Sequence, residues 1–125
     1  MMKTIIKSPV NAPEVQLEAV VEKHSQDRAV VICHPHPLYG GNMDNYVVMA
    51  IAQSFSEKEW TTLRFNFRGT GNSTGSFDNG NKETKDVRAA LDWLCQAGYK
   101  QICLAGYSFG AWVNAKLVSS DTQLA

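Results

Sequence analysis

Residues 102–118 read ICLAGYSFGAWVNAKLV: an apolar run, a Gly-x-Ser-x-Gly pentapeptide, then a second largely apolar stretch. A strand that passes straight into a helix through such a turn holds the serine hydroxyl clear of the sheet edge. The flanking glycines relieve crowding between the turn, the strand and the helix. The same pattern occurs at 71–75 as GNSTG, so the pentapeptide by itself selects neither serine. Context does. Arg68, Gly69 and Thr70 separate GNSTG from the strand before it, and Phe77, Asp78, Asn79 and Gly80 continue as loop after it. Ser73 therefore reads as part of a glycine-rich loop, and Ser108 as the candidate nucleophile. The loop lacks the Gly-Lys-Ser/Thr ending of a phosphate-binding loop.

Working outward, KQICLAG is one of three apolar strands; the others are RAVVICH and TTLRFNF. RAVVICH, a nearly continuous β-branched run, has the pattern of a central strand buried on both faces. Between them, 46–60 places Val47, Val48, Ile51, Ala52 and Phe55 at helical spacing, and 82–98 does the same with Val87, Ala90, Leu91 and Leu94. Near the start, TIIKS and VQLEAVVEK look extended, the second alternating apolar Val15, Leu17, Ala19 and Val21 with polar neighbours. Period two with one polar face predicts antiparallel strands wetted on one side. The order β-β-β-α-β-α-β-turn-α predicts an α/β architecture with a mostly parallel central sheet and helices on both faces. One domain over 1–125 is expected, with no internal repeat or linker.

Composition narrows the function classes. Of 125 residues 44% are apolar and 19% charged, as in a globular protein, and 12 basic residues balance 12 acidic ones. Such a balance gives no reason to expect nucleic acid or an anionic membrane as partner. No stretch has the apolar length of a signal sequence or a membrane span, so a cytoplasmic location is expected. Cys33, Cys95 and Cys103 form no CxxC, and their apolar neighbours predict buried free thiols. No metal site and no cofactor are expected.

The segment HPHPLYGG, 34–41, follows the buried strand ending at His34. Acyl transfer needs two N–H groups to meet a developing oxyanion: one from the residue after the nucleophile, the other from a loop after an earlier strand. This loop occupies that second place. HPHPLYGGNMDN, LRFNFRGTGNSTGSFDNG and AGYSFGA together resemble the small bacterial α/β-hydrolases related to dienelactone hydrolases and serine esterases, over about 29–118. The resemblance implies the α/β-hydrolase fold, with the strand ending at Ala105 beside the one ending at His34. It also implies Ser108 as nucleophile and the N–H groups of Phe109 and Leu38 as oxyanion hole. His36, Tyr39 and Tyr107 are candidate pocket residues.

Members of that group order their triad as serine, acid, histidine. After Ser108 this sequence has Asp121 alone and no histidine. Thirteen residues along a helix put Asp121 roughly 20 Å from the elbow, out of reach. The expectation is a C-terminally incomplete hydrolase domain acting on a small ester-like or acyl substrate. His34 or His36 is the minor candidate for a surrogate base, and His24 has nothing to recommend it. A competing reading is a non-catalytic interaction module. In either case KQICLAG would be an uncharged edge strand open to self-association or to a missing C-terminal half. A redox or metal role for Cys33, His34 and His36 fits no common ligand spacing.

Overall fold

In the computed structural model, which describes residues 1–8 and 15–120, the strands that read as buried runs form the parallel part of a five-stranded sheet. These are β3 (Arg28–Cys33), β4 (Thr61–Phe65) and β5 (Gln101–Gly106), preceded by β1 (Met2–Ser8) and β2 (Val15–Glu22). The order across the sheet is β1-β2-β4-β3-β5. β3 runs parallel to both β4 and β5, with Val31 opposite Leu63 on one side and Leu104 on the other. β1 and β2 add on antiparallel, with Val20 opposite Arg64 of β4. The sheet is therefore mixed, with its parallel part where the apolar runs are.

Helices α1 (Tyr46–Glu57), α2 (Glu83–Gln96) and α3 (Phe109–Ser120) cover both faces. Val30 and Ile32 of β3 pack with Val48 and Ala52 of α1 on one side. Val31 and Cys33 point the other way, into a larger core with Val87, Ala90 and Leu94 of α2 and Val113 and Leu117 of α3. Each fully buried side chain of this size contributes roughly 1.5–3 kcal/mol of transfer free energy. β5 is different from β3 and β4. Its residues are only half-buried, and among the described residues nothing pairs with its other edge.

Three expectations shift. α1 ends at Glu57 rather than continuing to 60, because Glu59 turns left-handed at φ 64 and the Trp60 N–H returns to the Phe55 carbonyl. α3 begins at Phe109, directly off the serine. All three cysteines are free, yet only Cys33 is buried; Cys103 is half-buried on the α1 face of β5 and Cys95 is exposed. Cys95 follows Leu94 by about 100° of helical rotation, which turns it off the apolar stripe. Asp121 lies outside the described residues. Among those described, no helix is long and apolar enough to cross a membrane.

Candidate active site

Among the described residues Ser108 is one of three non-glycine residues in the left-handed region, at φ 56. β5 enters the turn with the Tyr107 N–H donating to the Cys33 carbonyl of β3 at 3.2 Å. α3 leaves it with the Trp112 N–H donating to the Ser108 carbonyl at 3.0 Å. The chain reverses so tightly that a Cβ at Gly110 would lie 2.4 Å from the Cys33 carbonyl oxygen, and one at Gly106 2.7 Å from the Ala111 nitrogen. Ser108 therefore caps a helix while its own backbone is strained, as a sharp strand-to-helix elbow requires. Phe109 is the first residue of α3, so no earlier turn of that helix can accept its N–H. The positive end of the helix dipole lies at the same point.

Ser108 opens onto a cleft of about 610 Å³ lined by His36, Tyr39, Phe77, Asn79, Phe109 and Trp112. Of the residues predicted from sequence, Ser108, Phe109, His36 and Tyr39 thus meet there. Tyr107 is not in the lining and is 43% exposed beside it. Leu38, expected to supply an oxyanion donor, is 68% exposed and gives its N–H to Nδ1 of His36 at 3.2 Å. The reason is local: Pro37–Tyr39 forms a 3₁₀ turn, and the His36 side chain caps its start.

The histidines differ sharply. His34 is fully buried; its Nδ1 contacts the Pro35 carbonyl at 2.7 Å and its Nε2 accepts the Phe67 N–H at 3.0 Å. Both nitrogens are committed to holding β3 and β4 loops together, which fixes the proton on Nδ1. Burial pulls its pKa down to about 4, partly offset by the Pro35 carbonyl. With neither nitrogen available, His34 cannot serve Ser108 as a base. His24 precedes β3, at the end of the sheet away from the elbow, and contacts Glu22 at 3.2 Å. Ser73 is equally committed: its hydroxyl donates to the Asn66 carbonyl at 2.7 Å and accepts the Glu18 N–H at 2.9 Å. GNSTG is a structural loop.

Residues 14–124 match the X-Pro dipeptidyl-peptidase (S15) family. The chain belongs to that family. Its relatives include the uncharacterized protein RP471 of Rickettsia prowazekii, 44% identical over 112 residues, covering 86% of this chain and 47% of that protein. An alpha-beta serine hydrolase homologue from Coxiella burnetii superposes with a TM-score of 0.84 at 39% identity, over 97% of this chain and 58% of the other. XC6422 from Xanthomonas campestris, an α/β serine hydrolase without a lid, gives 0.82 at 32% identity, over 95% and 56%. The fold of this S15-family chain is that of the α/β serine hydrolases, and the chain spans about half the length of these relatives.

Two carboxylates of this family member escaped the sequence reading as site builders. Glu83 and Asp86 look like acids complementing the N-terminus of α2, but both are fully buried. Glu83 accepts the N–H groups of Asp78 and Gly80 at 2.8 and 3.0 Å, fixing the loop that carries Phe77 and Asn79 into the cleft. Gly80 lies so close to Trp112 that a Cβ would come within 2.3 Å of its ring. Asp86 takes Arg68 through its backbone N–H at 3.0 Å and its Nη2 at 2.6 Å, and the Ser8 hydroxyl at 2.7 Å. The only sequence signal is the i, i+3 pair of acids opening an amphipathic helix.

Proposed function

We propose that the chain carries the nucleophile and oxyanion side of a serine hydrolase acting on a small ester-like or acyl substrate. The observation that carries this reading is Ser108 at φ 56, directly before the N-terminus of α3 and opening onto an aromatic-walled cleft. Ser108 Oγ attacks the substrate carbonyl carbon and loses its proton to a base. The oxyanion meets the Phe109 N–H, the leaving alkoxide takes a proton, and water releases the acid from the acyl-enzyme. Both nitrogens of His34 are occupied and Nδ1 of His36 accepts the Leu38 N–H, so the base and its carboxylate are proposed to come from sequence outside these residues. Without them a serine hydroxyl is a weak nucleophile, and activity close to that of a stripped triad is expected, on the order of 10³–10⁴ over water.

A fluorophosphonate probe tests this, with and without added imidazole as an external base. Slow labelling mapped to Ser108, accelerated by imidazole and lost in Ser108→Ala but kept in Ser73→Ala, is the expected result. Absence of any adduct after prolonged exposure, or an adduct on Ser73, would overturn it. A second reading, an interaction module that pairs through β5, is favoured by one observation: the half-buried, uncharged outer strand.

A further inference from the structure

The geometry points to His36 as a side-chain oxyanion donor, its Nε2–H supplying the second hydrogen bond beside the Phe109 N–H. The inference rests on the serine-hydrolase reading of Ser108 and deepens it. An oxyanion hole needs two donors, and the loop after β3 is where the second is sought. That loop has turned its amides inward. Leu38 N–H goes to His36 Nδ1, Tyr39 N–H and Gly41 N–H to the His36 carbonyl at 3.1 and 3.0 Å, and Gly40 N–H to the Pro37 carbonyl at 3.2 Å. Pro35 and Pro37 have no N–H to give. What remains over residues 35–41 is the backbone N–H of His36 and its ring.

The ring is in the better position. It lines the cleft together with Ser108 and Phe109. Because Nδ1 accepts the Leu38 N–H, the proton of the neutral ring sits on Nε2. Nε2–H is therefore a donor and not a base, and among the described residues it meets no acceptor. Three rings hold the imidazole still: Tyr39 at 4.8 Å between centroids, and Phe77 and Phe109 each at 4.9 Å. A donor fixed before the substrate arrives needs no reorganisation when charge develops, which is the condition for strong oxyanion stabilisation. The same hydrogen bond that disqualifies His36 as surrogate base equips it for this second role.

Phenylboronate tests the inference on the chain as it is. Boron accepts a lone pair from Ser108 Oγ, a B–O bond forms, the hydroxyl proton passes to water, and the resulting tetrahedral anion imitates the oxyanion intermediate. With ¹⁵N-labelled histidine, the free chain is expected to show His36 as the Nε2–H tautomer. The Nε2–H resonance should move downfield as a tetrahedral ¹¹B signal appears. His36→Phe, which keeps an aromatic ring in the cage, should bind boronate roughly tenfold more weakly or worse, the worth of one hydrogen bond to a charged group. A tetrahedral adduct that leaves the His36 resonance unmoved, an Nδ1–H tautomer in the free chain, or a folded His36→Phe chain of unchanged affinity overturns this inference alone. Failure of the wild-type chain to form any tetrahedral adduct overturns the serine-hydrolase reading, and this inference with it.

Discussion

At the scale of single residues, the site rests on a conformation that Ser108 adopts at a cost. A left-handed φ costs a non-glycine residue roughly 1–2 kcal/mol, and glycine almost nothing. Ser108→Gly should therefore be more stable than Ser108→Ala by about 1 kcal/mol, after the greater unfolded-state freedom of glycine is deducted. Urea unfolding of the two variants checks this; equal midpoints would mean that the elbow is unstrained. His34 carries the opposite kind of commitment. Its pKa falls from 6.5 to about 4 through burial, so above pH 6.5 the ring is neutral in folded and unfolded chains alike and stability is complete. As pH falls from there towards 4, the unfolded chain takes up a proton that the folded chain refuses, and stability drops. The loss should reach about 2 kcal/mol between pH 7 and pH 5. Glu18 does not blur this window. Its carboxylate is held below its ordinary 4.5, first by the Asn72 N–H, so its own contribution is lost only at lower pH. Urea midpoints at the two pH values measure the slope. An NMR titration that puts His34 near 6.5 would refute it.

At the scale of elements, pattern was a good guide where burial is periodic and a poor one where a single contact decides. β3, β4, α1 and α2 were legible because their apolar residues repeat with the period of the element that buries them. The early stop of α1 was not, since it depends on Glu59 adopting φ 64 and on Trp60 meeting Phe55 edge to face at 5.5 Å between ring centroids. Context separated Ser108 from Ser73, whereas the tautomers of His34 and His36 depend on backbone partners that no spacing reveals. Asp86 was hidden for a different reason: it joins Ser8 at the end of β1 to Arg68 after β4, and these lie 78 and 18 positions away in sequence. This ion pair is almost wholly buried, with Arg68 5% exposed and Asp86 not at all. Removing one charge from such a pair strands the other in a medium that cannot solvate it. Asp86→Asn should cost about 3–5 kcal/mol. It should also loosen the 68–80 loop that carries the cleft wall, and faster amide exchange at Thr70 and Phe77 would report it. A loss under 1 kcal/mol would show that the pair is replaceable.

For the molecule as a whole, the two ends of the sheet differ among the described residues. β1 and β2 complete one flank with an antiparallel ribbon, while β5 ends the other with the sequence QICLAG, which has no charge to deter a further strand. The direction of its amides follows from two hydrogen bonds. Gln101 and Tyr107 both donate towards the β3 side, to the Asp27 and Cys33 carbonyls at 3.0 and 3.2 Å. Alternation along the strand then turns the N–H groups of Ile102 and Leu104 outward. A chain with this edge is expected to associate with itself through β5, giving a concentration-dependent mass above 13.8 kDa in sedimentation velocity. Leu104→Pro removes one outward donor and leaves the inward ladder to β3 in place, which an edge strand tolerates. It should return the chain to monomer at the same concentration with its far-UV circular dichroism retained. A wild-type chain that stays monomeric across the whole range would refute self-association through this edge.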